Sequence, residues 1–284
     1  MMKGKLFVVC ILLCFLLTAC GNPVEITIGE EDRRPSNSES VSDSASQSGE
    51  SGQSQTSGES AESQAPADNR TIEEKLTDAV AVNSDTKGWL QISGTYVDYP
   101  VMQSGDNNFY LEKNLDKSYY WYGSVFANYQ NDLSSVSSLN QNTVLFGHNK
   151  NDGLMFGSLV NYESSSYASA HPFITLLIGG EKTTWEIFAA LDCEVNSDVF
   201  PYIQTALSDD LITQARDRSF LDFDVQVSSS DKILTLSTCT YQYTYSSGKY
   251  REDVRFVVMA KLVEEGTPAP LITVNNDRRT PVFA

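Results

Sequence analysis

A mainly β fold, a closed or nearly closed barrel decorated by a few helices, is what the sequence predicts from about Thr71 onward. Short β-rich runs follow one another with Gly, Asn, Asp and Ser between them. Helical periodicity returns only twice after a first helix, and no internal repeat is visible. At roughly two hundred residues the region suits a single core.

The elements before the barrel come first. Lys3 and Lys5 precede an unbroken apolar run over residues 6–17. A dozen residues are too few for a bilayer span, which needs roughly 20, so the run reads as a secretory signal. It closes on Leu17-Thr18-Ala19-Cys20, which resembles a bacterial lipobox. That resemblance implies a signal over residues 1–20 and a lipid on Cys20, hence a lipid anchor on the extracellular face of the bacterial cell membrane. Residues 35–68 are almost entirely Ser, Gly, Gln, Glu, Asp and Ala. They cannot bury enough apolar surface to offset their ordering entropy. Residues 21–70 are therefore expected to be a disordered tether, and residues 71–284 the folded domain.

Thr71 and Glu74 have the spacing of a capping box, opening an amphipathic helix to about Val82. Strands are expected over residues 96–101, 124–128, 143–147, 173–178, 183–191, 233–238 and 255–263. Helical periodicity returns at 155–162 and across 209–221, the latter inserted between two strands. The formal net charge of -17 argues against a nucleic-acid partner. No His, Asp and Glu cluster has metal-ligand spacing, so neither metal nor other cofactor is expected.

Two of the five cysteines, Cys193 and Cys239, fall in the domain. An exported domain could join them in a disulfide. Yet Trp185, Ile187, Ala189, Leu191 and Cys193 share one parity of a strand-like run, so Cys193 reads as a small buried residue. Cys239 is then a lone thiol at the end of a strand. His148 follows an apolar strand at a Gly-His turn, an equivalent placement, whereas His171 before Pro172 reads as structural. An imidazole beside a thiolate has what amide exchange requires, apart from a group that polarises the carbonyl. Arg255 opens the strand after Cys239, and antiparallel pairing would bring the two to one end of the barrel. Arg251 is the alternative, inside the loop.

The sequence is similar to the sortases, and specifically to class B. The matching pieces are Gly88-Trp89-Leu90, Gly94-Thr95, Asp98-Tyr99-Pro100-Val101, Asp106-Asn107 and Tyr110-Leu111, then Gly123-Ser124-Val125-Phe126. Gly147-His148-Asn149, Met155-Phe156, the run from Leu234 to Cys239 and Arg255-Phe256-Val257-Val258 complete the series in the family's order. The resemblance implies an eight-stranded sortase barrel with N-terminal helices and an inserted helix before the cysteine strand. It also implies a catalytic triad of His148, Cys239 and Arg255. The implied reaction cleaves a C-terminal sorting motif after Thr and transfers the surface protein to an amine of a peptidoglycan precursor or a pilin. Asn107, Leu111, Tyr202, Ile203 and Ser237 are the implied substrate-binding residues. The family's usual uncleaved membrane helix is replaced here by the lipobox. A non-catalytic binding lipoprotein is the alternative; a papain-like peptidase is set aside, because there the cysteine precedes the histidine.

Overall fold

The structure, a computed structural model, describes residues 68–195 and 200–281. The expected signal, Cys20 and the expected tether up to residue 67 lie outside the described residues. Along the chain come α1 (Ile72–Val82), β1 (Thr86–Gln91), β2 (Asp98–Met102), β3 (Phe126–Ala127), β4 (Asn142–Phe146), α2 (Ser165–Ala170) and β5 (Phe173–Ile178). Then follow β6 (Glu181–Glu194), α3 (Asp209–Arg218), β7 (Leu221–Phe223), β8 (Ile233–Cys239), β9 (Val254–Val263) and β10 (Ile272–Val274). Eight strands close a barrel in the order β1-β2-β3-β4-β8-β9-β6-β5, while β7 and β10 form a separate pair. The eight-stranded, mainly β barrel expected from the sequence is therefore what the chain forms.

The capping box is present. Thr71 Oγ1 accepts from the Glu74 N–H at 3.2 Å, and Glu74 Oε2 accepts from the Thr71 N–H at 2.9 Å. Such a cap stabilises a helix end by about 1 kcal/mol. One carboxylate then fastens α1 to the barrel. Asp98 accepts from buried Lys75 Nζ at 2.6 Å and from Trp89 Nε1 at 2.7 Å, joining α1, β1 and β2. Strand β1 is missing from the sequence reading because Gly88 and polar Thr86 and Lys87 interrupt its pattern. The glycine is required there: a Cβ at residue 88 would stand 2.6 Å from the Leu177 carbonyl oxygen.

Residues 155–162 depart from the α-helical expectation. A 3-10 helix spans Gly157–Glu163. Phe156, Leu159 and Tyr162, fully buried and three apart, follow the period of that tighter helix. The inserted helix is α3, capped by Ser208 and continuing to Arg218.

A bulge in β6 between Ile187 and Ala189 alters the parity argument. Trp185 and Ile187 oppose Leu262 and Ala260, whereas Ala189, Leu191 and Cys193 oppose Met259, Val257 and Arg255. Opposed residues share a face, so the bulge switches Cys193 to the face opposite Trp185. Cys193 is nevertheless fully buried, because both faces of β6 are covered here.

Asp192 points the other way, into the base of the loop joining β8 to β9. Tyr243 Oη donates to its Oδ2 at 2.9 Å, and among the described residues Oδ1 has no hydrogen-bond partner. Burial pushes the Asp192 carboxyl up to about 7, the Tyr243 hydrogen bond opposes this, nearby Glu163 adds to it and Arg278 opposes it. A folded-state value above the unfolded one means that the folded protein binds the extra proton between about pH 4 and pH 7. Its contribution is intact below that window and is lost as pH rises through it. Chemical denaturation across this range is expected to show D192N losing less stability than wild type, by a few kcal/mol at pH 8 and little at pH 4. Parallel pH profiles for the two proteins would contradict the assignment.

Candidate active site

The site is built from the same end of three adjacent strands. β4 and β8 run parallel with Phe146 opposite Ser237. The ladder continues one step further, where Gly147 N–H donates to the Ser237 carbonyl at 3.3 Å. Thr238 Oγ1 donates back to the Gly147 carbonyl at 2.7 Å. Carried two residues past the last pair, this register sets His148 beside Cys239. Asn149 Nδ2 closes the junction, donating to the Cys239 carbonyl at 2.8 Å. On the other side β8 and β9 are antiparallel, and Cys239 stands directly opposite Arg255. The three sequence-predicted residues His148, Cys239 and Arg255 thus form one row across β4, β8 and β9.

Their environments differ. Cys239 is half-buried at the strand end, and His148 and Arg255 are buried. The Arg255 guanidinium donates through one nitrogen to the carbonyls of Glu252 at 2.8 Å and Val254 at 3.0 Å. Among the described residues no carboxylate forms an ion pair with it. Arg251 is engaged differently: it forks onto Asp253 at 2.9 and 2.6 Å and stacks over Tyr245. His171 lies elsewhere, before β5, with Nδ1 against the Ser93 carbonyl at 2.8 Å and its ring near Tyr167.

Cys193 occupies the same row as Arg255 and Cys239, one strand beyond the arginine. Two strand spacings put the cysteine Cα atoms about 9–10 Å apart, past the roughly 7 Å limit for a disulfide. Both cysteines are thiols in the structure. Burial pushes the Cys193 thiol far above its ordinary range, reinforced by Asp192 and Glu194.

Of the remaining sequence-predicted residues, Leu111 and Ser237 lie closest to this row, with the Leu111 carbonyl against His148. Ser237 shares the Cys239 face, and its hydroxyl is 3.1 Å from that of fully buried Tyr202. Leu111 and Ile203, both half-buried, pack on one cluster with Met102, Tyr110, Phe126, Val144 and Phe146. Asn107 is buried. Its amide nitrogen donates to Asn128 Oδ1 at 3.3 Å, and its Oδ1 accepts from the Tyr129 N–H at 3.0 Å. Asn128 Nδ2 in turn donates to the Ile203 carbonyl at 3.2 Å.

Sequence reasoning passed over two asparagines, one that braces the row and one that ties the start of β4 to the segment after β6. Asn149 is one. Asn142, at the start of β4, is the other: its amide nitrogen donates to the carbonyls of Tyr202 at 2.7 Å and Gln204 at 2.8 Å. Its Oδ1 accepts from Thr235 at 2.7 Å. The available signal was a polar amide heading an otherwise apolar strand, since buried amides persist where their hydrogen bonds are met. A cavity of about 300 Å³ opens beside the loop after His148, walled by Tyr99, Leu115, Tyr120, Tyr122 and Met155.

An eight-stranded barrel that sets a cysteine, a histidine and an arginine side by side at the ends of adjacent strands has the frame of a thiol acyl-transfer enzyme. The chain belongs to the sortase family, in its class B. The sortase domain matches over residues 90–263. Sortase B of Listeria monocytogenes is 35% identical over 200 residues, covering 69% of this chain and 76% of that protein. A Staphylococcus aureus sortase B–substrate complex matches with a TM-score of 0.58 at 28% identity, covering 69% of this chain and 87% of the other. Clostridium perfringens sortase B matches with a TM-score of 0.58 at 29% identity, covering 66% and 99%. The chain is accordingly a sortase transpeptidase.

The two domain thiols are expected to differ sharply. An alkylating reagent, mapped onto peptides of the native protein, is expected to mark Cys239 and to reach Cys193 only in denaturant. Comparable labelling of both in the native state would contradict the burial of Cys193.

Proposed function

We propose that this chain cleaves a C-terminal sorting motif after threonine and transfers the surface protein, held through that threonine as a thioacyl-enzyme on Cys239, to an amine of the cell wall or of a pilin. The observation that carries this reading is the row His148, Cys239, Arg255. Burying a guanidinium is costly unless its charge is met. Arg255 is buried opposite the nucleophile, held only by neutral carbonyls among the described residues. Its complement arrives with the reaction, as the negative charge that develops on the attacked carbonyl oxygen. The Cys239 thiolate attacks the threonine carbonyl and the peptide C–N bond breaks. His148 gives its proton to the departing amine. An incoming amine then displaces the thiolate and completes the transfer.

The substrate groove in this reading runs along Leu111 and Ile203, above the buried Tyr202–Ser237 pair, with Asn107 setting the loop that carries Leu111. The S. aureus relative solved as a substrate complex supports a peptide substrate for this chain. A lipid on Cys20 at the extracellular face of the membrane fits an enzyme that meets exported proteins as they emerge. The basic start, short apolar run and lipobox support that placement.

Incubation of the chain with a sorting-motif peptide and an amine acceptor is expected to yield the transpeptidation product. C239A abolishes both cleavage and transfer. H148A lowers kcat/KM by about 10²–10⁴, and R255K, which keeps the charge but loses the fork, by about 10²–10³. Cleavage that persists in C239A would overturn the assignment of the nucleophile.

A further inference from the structure

The His148 ring nitrogen Nε2 lies 2.8 Å from the Leu111 carbonyl oxygen. A carbonyl oxygen only accepts, so the contact is a hydrogen bond only when Nε2 carries the proton. We propose that the Leu111 carbonyl fixes neutral His148 as its Nε2–H tautomer, so that Nδ1 is the atom that exchanges protons in the reaction, and that Gly123 is the positioning residue that lets this carbonyl stand where it does.

Both ends of this contact are set by the fold. The His148 backbone is held by the Gly147–Ser237 and Thr238–Gly147 bonds, and its carbonyl accepts from the Phe156 N–H at 2.9 Å. Leu111 follows buried Tyr110, whose hydroxyl donates to Asp85 at 2.7 Å and accepts from Asn83 at 2.9 Å. The chain then turns back at Gly123, which has φ +63 and lies against the Leu111 carbonyl. A Cβ on residue 123 would stand 2.2 Å from that oxygen. Only glycine meets both demands.

The proton ledger closes on one nitrogen. Nδ1 takes the proton of the Cys239 thiol, giving an imidazolium with Nε2–H still on Leu111. As the substrate C–N bond breaks, Nδ1–H passes to the departing amine, and the ring returns to the Nε2–H tautomer. Nδ1 next accepts the proton of the incoming amine as the thioester is displaced.

The inference rests on the reading of His148 as the acid–base group, but its decisive test does not depend on activity. The chain has two histidines. His171, with Nδ1 on the Ser93 carbonyl, is expected to be the opposite tautomer and serves as an internal reference. Long-range ¹H–¹⁵N correlation spectra of the untagged full chain, labelled at histidine and recorded near pH 9, separate the two patterns. H171Q assigns the rings. The expected result is Nε2–H for His148 and Nδ1–H for His171. An Nδ1–H pattern for His148, or an equal mixture, overturns the proposal. G123A is then expected to degrade the Nε2–H pattern and to lower kcat/KM. A folded G123A with both unchanged would remove Gly123 from the account.

Discussion

The parallel pairing of β4 with β8 is the constraint on which the site depends. Two strands that run the same way finish at the same end of the barrel, so whatever follows each of them emerges side by side. Phe146 opposite Ser237 fixes the register, and the His148 and Cys239 positions follow from it. Side chains alternate along a strand, so a slip of one residue would turn Cys239 to the other face and part it from Arg255. Antiparallel β9 supplies the third residue from the opposite chain direction, at its first turn out of the loop. Parallel neighbours require a long crossover. The segment between β4 and β8 provides it, and carries β5, β6 and α3 on the way.

Buried amides keep this arrangement rigid. Asn131 donates to the Asn142 carbonyl at 2.9 Å and accepts from the Val144 N–H at 2.8 Å. Asn142 reaches forward to the Tyr202 segment, Asn128 to Ile203, and Asn149 to Cys239. Each amide ties irregular backbone to a barrel strand through bonds that are costly to leave unmade in an apolar interior. The walls of the proposed groove are therefore loops fixed as firmly as strands. A short row of reactive side chains needs that rigidity, since a displacement of about 1 Å can cost a hundredfold in rate.

Much of this was readable in the chain, for identifiable physical reasons. The capping box at Thr71 and Glu74 is a local signal and stands as read. So does β5, an almost wholly apolar run bounded by Pro172 and by Gly179-Gly180. Strand β1 was hidden because its glycine answers to a neighbouring backbone that sequence does not show. The face of Cys193 was misassigned because a bulge adds one residue without changing composition. His148, Cys239 and Arg255 stand out as reactive types at strand ends. Their mutual placement is a matter of register, which only pairing reveals. The partners of the asparagine amides were hidden for a related reason: they are backbone carbonyls between 11 and 90 residues away.

The central claim is thus geometric: His148 and Cys239 are lateral neighbours across the end of the β4–β8 ladder. Adjacent strands lie about 4.8 Å apart, within the Cα range of a disulfide. The direct measurement is oxidation of an H148C variant, followed by mapping of the cross-linked peptides. The account predicts a disulfide between position 148 and Cys239, with Cys193 left as a thiol. An oxidised protein in which position 148 and Cys239 both remain alkylatable would contradict the register and, with it, the site.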